Sequence, residues 1–207
     1  MTERRDFDSK VLRGLRGLRE PRRRPVLDVP SSYVCVGCGE VHAGLPPSIF
    51  FPAPLMYEHI APAQRESRVF VAVEDEAIGI KDEAGIPHLF IRGNLELPVV
   101  GADRFGWTLW AEISTSDFGN ALKRWSDEGR SAHGPYPGKI ACAIPGYEVT
   151  LGVAVLVHTQ PPGVRPVFEV NEEHPLRTDQ RSGISVHRHA ELVSMSMGRR
   201  QHNSGPR

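Results

Sequence analysis

The stretch His88-Leu-Phe-Ile-Arg-Gly-Asn-Leu-Glu-Leu-Pro-Val99 reads "HLFIRGNLELPV", and its side chains alternate. Leu89, Ile91, Leu95 and Leu97 fall on one side of an extended chain; His88, Arg92, Asn94 and Glu96 fall on the other. Successive side chains of a strand point to opposite faces, so this rhythm marks a half-buried strand. It returns in "FGWTLWAEI" (105–113), where Phe105, Trp107, Leu109, Ala111 and Ile113 oppose Thr108, Trp110 and Glu112. It returns again in "TLGVAVLVH" (150–158), with Leu151, Val153, Val155 and Val157 against Thr150 and His158, and less cleanly in "RPVFEV" (165–170). Period-two alternation repeated this often predicts antiparallel strands with one face on a core. Shorter strands are expected at Val69–Val73, Ala77–Lys81 and Gly138–Ile144.

Between and beyond these runs the period changes. Phe118, Ala121, Leu122 and Trp125 are spaced as one face of a helix, with Ser114 and Asp117 offering a capping box just before them. Val186, His189, Ala190, Val193 and Met197 form a second apolar stripe after Ser185, and Pro175 suits the first turn of a shorter helix that ends near Gly183. "GLPPSIFFPAP" (44–54) is expected to run as a loop, because Pro46, Pro47, Pro52 and Pro54 remove backbone donors. A short helix is expected near Leu55–Ile60, and another turn through Pro62–Arg68. The pattern as a whole predicts an α+β fold: a meandering antiparallel sheet with helices packed on one face and a knuckle-like cysteine turn at the N-terminal side.

The chain has 207 residues, room for one well-buried domain with tails. That domain is expected over 31–198. Lys and Arg balance Asp and Glu at 25 each, so the molecule as a whole has no electrostatic bias toward nucleic acid or membrane. The distribution is uneven. Residues 1–30 hold nine basic and five acidic side chains, and 199–207 holds three arginines and no acid. Val11, Leu15 and Leu18 sit at helical spacing in the arm, but Gly14 and Gly17 each weaken a helix by about 1 kcal/mol, and Pro21 and Pro25 stop it. A solvated extension is favoured over an RNA, DNA or lipid contact for 1–30, and a tail for 199–207. No apolar run is long enough to span a bilayer, and the charges of "MTERRDFDSK" are not followed by the apolar core of a secretory signal. With only three cysteines, two of them too close for a useful structural bridge, a reducing cytoplasmic setting is expected.

Those two are Cys35 and Cys38 in "YVCVGCGEVH" (33–42). A C-x-x-C turn delivers two sulfurs to one point; Gly37 and Gly39 let the amides fold back toward them, and His42 is placed to supply a third zinc ligand. Cys142, in "KIACAI", is the remaining thiol and lies far away in sequence. Zinc and plain buried thiols both stay open as readings. Redox chemistry falls behind them, because the pair precedes a loop and not an apolar helix.

The polar sides of the strands give a second candidate. Arg92, Glu96, Trp110, His158 and Arg165, together with His88, Asn94, Thr108, Glu112 and Glu169, are expected to share the sheet face opposite the helices. Tryptophan among arginines and carboxylates is the composition of an interface anchor. Two plainer readings stand beside it: a wet face with cross-strand ion pairs worth about 0.2–1 kcal/mol each, or a Trp110 covered by the proline-rich loop. His158 and His174 with Glu169 or Glu172 supply an acid–base pair if adjacent. No G-x-S-x-G elbow, phosphate loop, H-E-x-x-H helix or paired-carboxylate signature is present.

The chain resembles a bacterial family, the domain of unknown function 2199. The resemblance spans about Tyr33 to Val193 and rests on "CVGCGEVHAGLP" (35–46), "HLFIRGNLELPV" (88–99), "FGWTLWAEIS" (105–114), "IPGYEVTLGVAVLVHTQPPGVRP" (144–166) and "EEHPLRTDQRSGIS" (172–185). It implies membership and no activity, because the family has no established function. It also implies a further cysteine just before the strand that leads to "FIRG"; the corresponding "EDEAIGI" (74–80) has no thiol, so if that cysteine completes a metal site in relatives, the site is reduced here. The basic arm lies outside the family pattern. The expectation carried forward is a small cytoplasmic binding protein, with another protein as partner and a structural zinc knuckle. The alternatives are an enzyme acting on a small polar substrate with His, Arg and Glu of the sheet face, and a nucleic-acid contact through 1–30.

Overall fold

In the computed structural model of the chain, residues 32–34, 41–44, 46–73 and 76–203 are described, with the backbone alone at 32–34, 41–43 and 197–203. In chain order the elements are β1 (Ser32–Val34), β2 (Val41–Ala43), β3 (Ser48–Phe50), α1 (Leu55–Glu58), α2 (Pro62–Arg68), β4 (Val69–Val73), β5 (Ala77–Lys81), β6 (Pro87–Leu97), β7 (Phe105–Ile113), α3 (Thr115–Lys123), a single 3-10 turn (Arg130–Ala132), β8 (Tyr136–Ile140), β9 (Ala154–His158), β10 (Val167–Val170), α4 (Pro175–Ser182) and α5 (Val186–Asn203).

The sheet is not the open meander that the alternation predicts. Strands β6, β7, β8, β9 and β10 are paired in a ring, each antiparallel to the next, and β10 returns to β6 in parallel at Val167 and Asn94. The result is a closed five-stranded barrel with β5 and β4 extending from β6 and β3 lying parallel on β7. Closure depends on one strand edge serving two neighbours. Along β6 that edge pairs with β5 from Pro87 to Ile91 and with β10 at Asn94. The handover is visible in the backbone: the Arg92 N–H donates to Glu76 O at 2.9 Å, and the Asn94 N–H donates to Pro166 O at 2.8 Å. Gly93 lies between them because nothing larger fits. A Cβ there would sit 2.5 Å from the Phe168 ring and 2.7 Å from the Pro166 carbonyl oxygen.

The apolar series of β6, β7, β9 and β10 points into the barrel. Leu89, Ile91, Leu95, Leu97, Phe105, Trp107, Leu109, Val155, Val157 and Phe168 are all buried there. Leu151, expected in the same series, precedes β9 and is 43% exposed. The three longer helices, α3, α4 and α5, lie at the ends of the ring and do not roof one face. Near the Ile91 end, Ala121 of α3 and Trp125 just beyond it meet Tyr136 around a void of about 10 Å³, room for no more than one water. At the opposite end of the β6–β7 ladder, the Phe105 ring lies 4.3 Å from the ring of His189 in α5, and Leu176 of α4 is fully buried. Ser114 caps α3 as its sequence predicts, the Asp117 N–H donating to Ser114 Oγ at 3.1 Å, while the Asp117 carboxylate accepts from the Ser114 hydroxyl at 2.7 Å and so does not complete the reciprocal arm of a capping box.

The outer side of β6 and β7 is also covered. Register places Ile78 beside Phe90 and Arg92 beside Trp110, and Phe90, Arg92 and Trp110 are all buried. Segments 46–58 and 62–68 form this second layer. Helix α2 passes directly into β4 without a linker, Val69 serving both as helix C-cap and as first strand residue. Among the described residues no helix is long and apolar enough to cross a membrane.

Candidate functional site

Trp110 lies at the centre of the outer layer. The proline-rich passage crosses over it: the Phe51 N–H donates to Thr108 O at 2.8 Å, and the Trp110 indole N–H donates to Phe51 O at 3.1 Å. Only 2% of Trp110 is exposed. Arg92, its cross-strand partner, is buried too, with its guanidinium carbon 3.9 Å from the centroid of Phe50 and 5.4 Å from that of Trp110. The exposed face expected from the polar alternation is therefore absent at these two positions, and of the readings open for Trp110 the cover by the proline-rich loop is the one that holds.

The cover is incomplete. Between α1, α2 and the β4–β5 extension an open cleft of about 570 Å³ remains, lined by Pro52, Ala53, Tyr57, Glu58, Arg65, Val69, Val71, Ile78 and Trp110. Its floor is apolar. Val69 pairs with Ile80, and Val71 with Ile78, so their side chains share the side of the sheet that carries Phe90 and Trp110. Its rim is charged. Arg65 is held in place by two contacts: its guanidinium carbon stacks 4.5 Å from the Tyr57 centroid, and its Nε–H donates to Ile60 O at 3.2 Å. The two Nη groups have no acceptor among the described residues. Glu58 is exposed at the same rim. Behind this wall the Cys142 thiol points toward Ala53 O at 3.9 Å. Burial pushes its pKa up to about 12, so it is a neutral packing group and neither a nucleophile nor a ready metal ligand.

The other residues picked out by the sequence are spread around the ring. Glu96 faces solvent and pairs with Arg104 at 3.0 Å. His158, outward on β9, pairs with Glu169 of β10 at 2.9 Å, both part-exposed. Arg165 pairs with Glu76 at 2.7 Å. A closed barrel turns these outward side chains to different directions, so Arg92 and Trp110 come together and Glu96, His158 and Arg165 do not join them. His174 is the N-cap of α4: its Nδ1 accepts from the Leu176 N–H at 3.1 Å, and its Nε2 lies 2.9 Å from Glu148 O. Tyr57, Glu58 and Arg65 were not singled out by the sequence reading. They sit on two short helices that residues 59–61 separate, and no period links them.

Cys35 and Cys38 fall in the connection between β1 and β2 and lie outside the described residues, as does the arm 1–30. His42 pairs with Tyr33 across that hairpin through its backbone. Among the described residues no group of three or more His, Cys, Asp and Glu is gathered to hold a metal ion.

A family model described as "Uncharacterized protein conserved in bacteria (DUF2199)" matches residues 34–184. No curated protein and no solved structure matches the chain.

Proposed function

The chain belongs to the DUF2199 family of uncharacterised proteins conserved in bacteria, and we propose that it acts as a small binding protein whose contact surface is the Trp110 cleft and whose ligand is another protein. One observation carries this reading. The cleft is large, open and apolar-floored, and Val71 of β4, which lines it, is 63% exposed. Apolar exposure in an open groove is what a partner covers. The groups that an enzyme would need are elsewhere: His158 and Glu169 pair on the open outer surface of the ring, and Cys142 is neutral. A cytoplasmic setting belongs to the same reading, as does a structural zinc knuckle at Cys35, Cys38 and His42. Elemental analysis of the wild type beside Cys35→Ser tests the zinc: one ion per chain, lost in the variant, supports it.

The binding reading is tested by cross-linked capture in the source cell with three chains: wild type, Ala53→Trp, which fills the cleft, and Glu96→Ala, which leaves it alone. A partner recovered with the first and third chains and lost with the second supports the cleft. Equal recovery by all three overturns it.

A further inference from the structure

Resting on that reading, we infer that the cleft recognises the C-terminus of a partner chain, with Arg65 taking the α-carboxylate and the partner backbone adding antiparallel to β4. Three independent features meet at one place. First, Arg65 is a pre-set anion receptor. Stacking on Tyr57 and the bond to Ile60 O fix its plane, Arg65 lines the cleft, and its Nη groups have no acceptor among the described residues. A fixed guanidinium fork matches the two oxygens of a carboxylate. Second, β4 is the terminal strand of the sheet order, so its outer edge is free among the described residues. The strand "VFVAV" carries no charge that would repel an added strand. Strand addition supplies backbone bonds, and alternate side chains of the incoming chain find pockets. Third, the pocket for such a side chain is present. Val69 and Val71 of that same strand, with Ile78 and Trp110, form the apolar floor.

The direction follows from the connectivity. Arg65 lies one helical turn before Val69, at the N-terminal end of β4. A strand added antiparallel ends where β4 begins, so its last residue reaches Arg65. That residue's side chain then lies beside Val69 and Val71 at the β4 end of the floor, which selects an apolar terminal residue. Glu58, exposed on the same rim, repels a misplaced carboxylate and accepts from an N–H of the incoming chain.

The test uses the full chain and two fluorescein-labelled pools of short random peptides ending in Leu, Val or Phe, one with a free carboxylate and one amidated. Fluorescence anisotropy is expected to show the free-acid pool binding about tenfold tighter than the amide pool or better. Arg65→Gln reduces the acid to the amide's affinity, Arg65→Lys falls between, and Val71→Lys loses both; unchanged thermal unfolding certifies each variant as folded. Equal binding of acid and amide overturns carboxylate recognition and leaves the protein-binding reading intact. Binding of neither pool, while the Ala53→Trp-sensitive partner is still captured, overturns the C-terminal mode alone. If that capture also fails, both readings fall. Phenylacetate competing as well as the peptides assigns the site to small apolar acids and overturns the strand addition.

Discussion

Arg165 and Glu76 grip each other at the point where the barrel closes, with Nη2 to Oε1 at 2.7 Å and Nε to the two carboxylate oxygens at 2.8 and 3.2 Å. Glu76 directly precedes β5, and Arg165 stands one residue before the Pro166 carbonyl that receives Asn94. The pair therefore ties the strand that leaves β6 to the strand that replaces it.

Glu76→Gln removes the charge and keeps the shape. Both side chains are partly wet, so the expected loss is about 1 kcal/mol or less, and it shrinks as salt is raised. Urea unfolding at low and high ionic strength measures both.

Gly93→Ala is expected to cost more, although it adds only a methyl group. The new Cβ meets the Phe168 ring and the Pro166 carbonyl well inside contact distance. Overpacking of this kind costs about 1–3 kcal/mol. A loss from Gly93→Ala no larger than that of Gly119→Ala, where a Cβ meets nothing, would show that β10 does not press on β6.

Arg130 is a buried cation that serves only carbonyls. It donates to Trp125 O at 2.8 Å, Val164 O at 2.6 Å and Pro161 O at 3.1 Å, as well as to Gln160 O, and lies over the Trp125 ring at 4.9 Å. Burial lowers its pKa from the ordinary arginine value. Arg130→Met strands these acceptors, at an expected cost of about 3 kcal/mol and a Tm drop on the order of 10 °C. Arg130→Lys recovers little of it, because one ammonium cannot reach four diverging oxygens. Calorimetry of the three proteins decides.

His189 is buried against Phe105, with its Nε2 3.1 Å from Pro46 O. Burial holds its pKa below the usual 6.5, only partly opposed by the carbonyl. The folded chain thus refuses a proton that the unfolded chain accepts. Its contribution is whole above about pH 6.5 and falls away as pH drops from there toward the folded-state pKa. Tm measured across that window is expected to decline more in the wild type than in His189→Gln, and parallel curves would refute the assignment.

Cys142 is expected to resist alkylation. Its thiol is 1% exposed and its pKa stands at about 12, so both access and thiolate are lacking. Peptide mapping after iodoacetamide treatment is expected to show Cys142 modified only when urea is present. Labelling of the native chain at the rate of a free thiol would contradict the packing against Ala53.

What the sequence revealed and what it concealed follow from one distinction. Alternation reports which side chains share a face, and the series Leu89–Leu97 and Phe105–Ile113 indeed share the barrel interior. Strands Val69–Val73 and Ala77–Lys81 and the cap at Ser114 were legible because their signals are local. Alternation does not report what lies over the opposite face. Alternation alone leaves Trp110 open between an exposed anchor and a ring under the proline-rich loop, and gives Arg92 only as an outward polar residue; the segment that carries Phe50 and Phe51 covers both. Ring closure was hidden for a similar reason: one pairing, Asn94 with Val167, converts a meander into a barrel, and no local pattern joins those residues. The rim of the cleft was hidden because Tyr57 and Arg65 sit on helices too short to carry a period.

The seamless passage of α2 into β4 makes the wall and the edge of the groove a single lever. Whatever grips the strand from outside also pulls on the turn that carries Arg65, and prying β4 from β5 swings the guanidinium out of line. Occupancy and rigidity are then coupled: a chain end seated in the groove would clamp helix and strand together.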